Sequence, residues 1–389
     1  MFTVNCENLG NALEYASVGG GKSFNLLVDP TVHDLGDGRT MQLASVCSSN
    51  GDKIGTANIE IRTTDMQKPE IFYISNILKQ AVASLAPITD TLYIESKDSC
   101  LELSDESGET KIKVPLTEKE AILEIPNSTE GVVMLRMKKE EFVQAIRTGG
   151  FVAAPTAKAL TDTIGFKVNV EEKTIKVMSF RGEMVSIAAA ELSQVEARGV
   201  GDQPCAAVGV WHLVHFQFIQ ELLPKLTGDV VEIGFNDKYV QIVSSSASFA
   251  SKKVAGEMSE GLVKLVEDES YDYAGEVKNK DFQIGLNIVS VGDDENKVVM
   301  ETGDEGALKI SSVNMTNKTL ISQERDGDMP KTVFYVPFLK QILKICGVKV
   351  QYYGKTNEGK CSMLLFTGKE CGVEFHCCVA ACNSKQKTE

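Results

Sequence analysis

The residues best suited to chemistry lie in two places, and neither assembles a reactive centre. Residues 19–23 read Gly-Gly-Gly-Lys-Ser. This resembles the end of the phosphate-binding pattern G-x-x-x-x-G-K-S/T, whose backbone N–H groups cradle phosphates between a strand and a helix. Ala16 stands where the first glycine is needed, and the segment follows an amphipathic helical pattern instead of a strand. It reads as a glycine-rich loop, with a nucleotide hydrolase using Lys22 as a remote alternative. Near the C-terminus, Cys361, Cys371, Cys377, Cys378 and Cys382 gather around His376. Zinc sites draw ligand pairs from short turns such as C-x-x-C, a spacing that does not occur here. Cys377 and Cys378 are neighbours in an alternating apolar run, so a strand would point them to opposite faces as buried thiols. His33, His212, His215 and His376 form no nucleophile–base pattern, and Glu171-Glu172 and Asp293-Asp294 read as solvated turns. No catalytic residue, metal or cofactor is expected.

The elements that would position any functional side chain are written repeatedly. "FYISNILKQ" begins at Phe72 and "FYVPFLKQ" at Phe334. Apolar residues follow one spacing at Ile77, Leu78, Ala81, Val82 and Leu85, and at Phe338, Leu339, Ile342, Leu343 and Cys346. Phe218, Ile219, Leu222, Leu223 and Leu226 repeat it, with Pro224 ending or kinking that helix near Leu223. Such spacing lays one stripe along a helix. A second set places Val4, Leu9 and Leu13, then Met137, Phe142 and Ile146, then Val277, Phe282 and Leu286, at matching intervals. Alternating strand-like runs flank every copy. Val4 to Met137 is 133 residues and Met137 to Val277 is 140, close to a third of the 389-residue chain. Three similar domains are expected, 1–129, 130–258 and 259–389, each of two strand–helix–strand half-units. Glu130-Gly131 and Glu260-Gly261 each lead into a new apolar run at the junctions.

Composition is that of an ordinary globular protein, 43% hydrophobic and 24% charged. No apolar run reaches the ~20 residues of a membrane span, and no basic, then apolar leader opens the chain, so a cytoplasmic protein is expected. Ten scattered cysteines suit a reducing compartment. The net charge of −14 is opposite to the usual footprint of a DNA-binding protein.

Taken together, the threefold repeat, the order of elements and the closing strand pair "CSMLLFTG…CGVEFHCCVAAC" resemble the bacterial DNA polymerase III beta sliding clamps over essentially the whole chain. The resemblance implies an α+β fold of three clamp domains, each of two βαβββ half-units. It also implies a head-to-tail homodimer, a six-domain ring with sheets outside and helices lining a hole for duplex DNA. A clamp is non-catalytic, a processivity subunit that tethers a polymerase. The helices expected at 5–17, 74–87, 137–148, 213–228, 277–290 and 336–347 hold nine Lys or Arg against six Asp or Glu. That is +3, leaving −17 for the remainder. A positive lumen inside an acidic shell would contact phosphates without reading sequence. DNA-contact candidates on the helices are Lys79, Lys138, Lys139, Arg147, Lys225, Lys340 and Lys344, and on loops Lys22 and Lys158. Lys297 is a further loop residue, weaker like Lys158, and Lys278 and Lys280 enter only the helix charge count.

The same family binds short apolar–aromatic peptides of polymerase and clamp-loader subunits between its second and third domains. Its lining corresponds here to Ser179 and Met184, flanking Phe180-Arg181-Gly182-Glu183, and to Cys378, Val379, Ala380 and Ala381. The turn departs from the family's Asp-Gly-His-Arg run and the ending from its Met-Pro-Met, which puts peptide specificity in doubt. Expected partners are double-stranded DNA, polymerase and loader subunits, and a second copy, with no membrane. The alternative is an interaction scaffold of clamp fold that does not encircle DNA.

Overall fold

The computed structural model describes residues 1–34, 36, 39–119, 131–153, 160–201, 203–245, 247–268, 270–291, 296–314, 316–357 and 360–382. The boundary expected near residue 129 lies outside them. One order of elements, strand–helix–strand–strand–strand, occurs six times. The first half-unit is β1 (Phe2–Asn5), α1 (Cys6–Ala16), β2 (Ser23–Asp34), β3 (Thr40–Ser49) and β4 (Lys53–Thr63). The second is β5 (Glu70–Ser75), α2 (Ile77–Leu85), β6 (Thr91–Lys97), β7 (Cys100–Ser104) and β8 (Lys111–Pro115). The third is β9 (Val132–Lys138), α3 (Lys139–Gly149), β10 (Thr163–Asn169), β11 (Thr174–Arg181) and β12 (Met184–Glu191), trailed by β13 (Gln194–Arg198). The fourth is β14 (Trp211–His215), α4 (Phe216–Leu222), β15 (Val230–Phe235), β16 (Tyr239–Ser244) and β17 (Ala247–Lys252). After α5 (Glu260–Glu267) comes the fifth, β18 (Tyr273–Lys278), α6 (Asn279–Val289), β19 (Lys297–Thr302), β20 (Leu308–Ser312) and β21 (Lys318–Ile321), trailed by β22 (Glu324–Asp326). The sixth is β23 (Thr332–Tyr335), α7 (Val336–Leu343), β24 (Lys349–Asn357), β25 (Lys360–Glu370) and β26 (Val373–Ala380).

The six expected helices are therefore present, each shorter than its apolar pattern. The trimming has local causes. Asn5 caps α1 by accepting the Asn8 N–H at 2.9 Å, which fixes the start one residue later than expected. Pro224 turns the end of α4 into a single 3-10 turn, and Leu226 beyond it is buried. The anchors of the second repeated set, from Val4 and Leu9 through Phe282 and Leu286, are all buried. Most of the stripe of the first set is buried too, but Leu223, Phe338 and Cys346 are half-buried and Ile77 stays exposed. At the expected junction near 258, Glu260-Gly261 opens α5, so the apolar run that follows is helical.

Two compact units arise. The first comprises residues Met1–Lys139, Gln194–Ala207 and Gln217–Lys253, built on one thirteen-stranded sheet. Within it β4 pairs antiparallel with β17, Ala57 opposite Ala247 and Lys53 opposite Ser251. The second comprises Glu140–Ser193, Val208–Phe216 and Val254–Glu389, on sheets of nine and four strands. Within it β12 pairs antiparallel with β26, from Met184 opposite Val379 to Ala190 opposite Val373. As alternation requires, Cys377 enters the core of the fifth and sixth half-units and Cys378 a cluster on the other face.

Glycine opposite an aromatic ring recurs in the nine-stranded sheet: Tyr273 faces Gly354, Tyr352 faces Gly275, and Phe375 faces Gly368. A Cβ on Gly354 would sit 1.8 Å from the Tyr273 ring, so the ring can lie flat only because that atom is missing. Gly354→Ala is expected to destabilise by roughly 1–3 kcal/mol through overpacking. A denaturant midpoint unchanged from the parent would show that the ring simply swings aside.

Candidate functional site

The glycine-rich loop is accounted for by packing. A Cβ on Gly19 would meet the Ser48 carbonyl oxygen at 1.8 Å, and one on Gly21 the Ser49 oxygen at 2.5 Å. The Gly21 N–H donates to Ser48 Oγ at 3.2 Å, and Gly20 adopts φ +69°. The glycines thus let the loop lie against the end of β3, and one amide that could have faced a phosphate is occupied. Lys22 projects to solvent beside it. Among the described residues no three His, Cys, Asp or Glu side chains come together as a metal site would need.

The other candidate basic residues fall into distinct settings. In the first unit, Lys79 on α2 and Lys225 after α4 converge on a single α1 carboxylate. Lys79 Nζ is 2.6 Å from Glu14 Oε1, and Lys225 Nζ is 2.8 Å from Glu14 Oε2. Hydrogen bonds from Lys225 first and Lys79 second hold the Glu14 carboxyl below the usual glutamate range. Beside them Lys53 pairs with Glu221, which also accepts from Gln217 at 2.9 Å. Lys138 ends β9, exposed, and Lys139 begins α3, half-buried. In the second unit, Arg147 is exposed in the last turn of α3, Lys340 is half-buried on α7, and Lys344 is exposed just past it. Lys22, Arg147, Lys340 and Lys344 make no ion pair among the described residues. Lys158 lies outside those residues.

With the observed helix ends, the charge expectation changes. Lys138 and Lys278 close strands, and Lys225 and Lys344 follow helices. The six half-unit helices keep five Lys or Arg and six Asp or Glu, and five minus six is −1, not +3. Lys225 and Lys344 sit at C-terminal ends, where carbonyl-rich termini favour cations, whereas Lys138 and Lys278 precede N-termini, which do not.

The peptide-site candidates divide between two faces of the nine-stranded sheet. Met184 and Val379 are register partners, buried in a core that includes Leu286, Phe334 and Leu339, with Ala381 packed against it. Ser179 is fully buried and its hydroxyl donates to the Gly149 carbonyl at 2.7 Å. Cys378 faces the other way, against Met178, Val185 and Met363. Ala380, half-buried, donates its N–H to the Glu183 carbonyl at 2.9 Å. Around Cys378 lies an apolar surface that sequence reasoning missed. Leu160, Phe180, Trp211 and Leu262 are half-buried there, with Val263 and Val266 of α5 beneath. Lys167 Nζ stands 5.7 Å over the Trp211 ring and 3.0 Å from Glu260 Oε1, and it holds that carboxyl below its usual range. The Leu262, Val263, Val266 spacing after Ser259 was the available signal.

No protein-family model and no curated protein matches the sequence. Solved structures do match along nearly the entire chain. The beta subunit from DNA polymerase of Streptococcus pyogenes superposes at TM-score 0.77 with 12% identity, over 98% of this chain and 100% of that one. The DNA polymerase sliding clamp of Bacillus subtilis gives 0.76 at 13%, over 98% and 99%. The DNA polymerase III beta subunit of Thermotoga maritima gives 0.75 at 12%, over 98% and 100%. The chain has the sliding-clamp fold, an α+β arrangement of repeated βαβββ half-units. Among the described residues no helix is long and apolar enough to cross a membrane.

Burial assigns Met184 to the core and not to a pocket lip. Met184→Ala is expected to cost about 2–5 kcal/mol in denaturant unfolding. A loss within about 0.5 kcal/mol, as at an exposed site, would return that side chain to the surface.

Proposed function

We propose that the chain is a DNA sliding clamp. Two copies close head to tail into a ring around duplex DNA, helices inward, and hold a replicative polymerase on its template without doing chemistry. The observation that carries this reading is the pairing rule of the terminal strands. The last strand of the first half-unit pairs with that of the fourth, and the last strand of the third pairs with that of the sixth. Each odd half-unit joins the one three places on. The fifth has no such partner in its own copy, and the eighth place in the count is the second half-unit of another copy. Among the described residues β21 pairs only with β20, and β8 only with β7. A heterologous contact of this kind forms a closed ring where its rotation allows.

Both unpaired edges also carry uncovered apolar side chains. Leu320 on β21 is 58% exposed, and Ile284 and Ile288 on α6 are 46% and 45% exposed. On the other edge Ile77, at the start of α2, is 48% exposed, and Ile88 lies just beyond that helix. Burying such side chains is worth roughly 1.5–3 kcal/mol each. Lys111 and Lys113 on β8 and Lys318 on β21 guard the edges against promiscuous pairing until the correct one forms.

On this reading the domains are 1–129, 130–258 and 259–389. The exposed basic residues Lys22, Arg147 and Lys344 are the first phosphate contacts, with Lys138, Lys139 and Lys340 behind them. Polymerase and loader peptides dock on the apolar surface bounded by Phe180, Trp211 and Leu262, next to Cys378 and Ala380. The net of −1 on the helices supports a second reading, a scaffold of clamp fold that does not hold DNA. In that case reversing the charge of Lys340 and Lys344 would leave DNA retention unchanged.

Size-exclusion with light scattering should give a dimer for the native chain, and a monomer for the double substitution Ile284→Glu with Ile288→Glu. Protein loaded on closed circular DNA should remain bound and leave once the circle is cut. A strict monomer at micromolar concentration, or retention indifferent to cutting, would sink the ring.

A further inference from the structure

Glu14 is oddly placed for a clamp. It is an acidic residue on a helix expected to face DNA, and each of its oxygens holds a different candidate DNA-contact lysine, at 2.6 Å for Lys79 and 2.8 Å for Lys225. The three side chains are 41%, 40% and 29% exposed. Ion pairs this open to solvent add little to stability, so holding the fold together is a weak reason for a carboxylate here. Its electrostatic effect is larger. Two ammonium groups around one carboxylate present a net +1 to an approaching phosphate, where they would otherwise present +2. The neighbouring cation offers no relief, because Lys53 is paired with Glu221. The other outward residues of α1, Asn8 and Asn11, are neutral, and Glu7 is acidic.

We propose that Glu14 restrains the clamp's grip on DNA: by occupying Lys79 and Lys225 it withholds them from the phosphate backbone. This rests on the sliding-clamp reading. A ring that is already closed around DNA keeps it by topology, so strong phosphate contacts add nothing to retention and impede sliding. Lys340 of the repeated Lys-Gln phrase makes no ion pair among the described residues. The restraint is therefore local to the first unit and is not a feature of every copy of the repeat.

The test is duplex binding across a salt titration, using a short blunt duplex and the full chain. Glu14→Gln keeps the side chain's size and removes its charge. Each lysine released to a phosphate should steepen the slope of log affinity against log salt by about 0.9. For one lysine this is a roughly three- to fourfold greater loss of affinity between about 50 and 200 mM salt. On the salt slope, which counts the lysines that reach phosphates, Lys79→Gln with Lys225→Gln should change little in the parent, even though it leaves Glu14 bare and lowers the affinity itself. In the Glu14→Gln background the same pair should erase the gain. That non-additivity is what a purely structural salt bridge would not produce. Circular dichroism and light scattering confirm that each variant keeps its fold and assembly. An unchanged slope in a folded Glu14→Gln protein that is still retained on circular DNA overturns the restraint alone. Failure of every variant to bind duplex or stay on circles overturns the clamp reading and the restraint together.

Discussion

Everything in this fold depends on what happens to the last strand of each half-unit. A strand at the end of a meander has one row of N–H and C=O groups without partners, and such edges are left bare only at a risk of aggregation. The chain meets this constraint by pairing terminal strands with one another, β4 with β17 and β12 with β26. Each joint continues a sheet from one repeat into another. Among the described residues β8 and β21 remain as edges of the same kind, and on the proposed reading a second chain would pair there.

Much of this was legible in the sequence because a helix packed on a sheet must repeat its apolar spacing. The Val4, Met137 and Val277 sets all proved buried, as did Leu78 and Leu339 of the two similar phrases. What escaped were features set by helix termini and by sheet edges. The pattern of α2 includes Ile77, but its exposure follows from its position at an unpaired edge, which no local periodicity reports. Helix ends decide the charge balance, and capping by Asn5 or interruption by Pro224 moves them by a few residues. Those few residues carry Lys138, Lys225, Lys278 and Lys344. α5 was hidden by Gly261, a residue that costs a helix about 1 kcal/mol and is held there by Val263 and Val266 seated on the sheet.

The peptide site illustrates a geometric limit. Consecutive residues of a strand alternate faces, so Cys378, Val379, Ala380 and Ala381 cannot all line one groove. The structure distributes them accordingly, with Val379 in one core and Cys378 in the cluster behind it. The same rule correctly separated Cys377 from Cys378. A site read by aligning a linear stretch therefore needs to be thinned to alternate positions, then completed from other elements. In the proposed peptide site the completion would come from Phe180, Trp211 and α5, which are far apart in sequence and meet over Met178 and Val185.

The repeated phrase shows how identical letters come to sit in different settings. Lys79-Gln80 and Lys340-Gln341 each follow a fully buried leucine, in the first turn of α2 and the last turn of α7. Packing fixes the leucine, so the lysine is presented in the same direction both times. Its partner is then set by the neighbouring helix: α1 offers Glu14 to Lys79, whereas Lys340 has no acidic partner among the described residues. Whether such a lysine is held or left open is therefore a property of a pair of helices. The internal repeat keeps the scaffold constant while leaving the charge of each position to be tuned separately by the helix packed beside it.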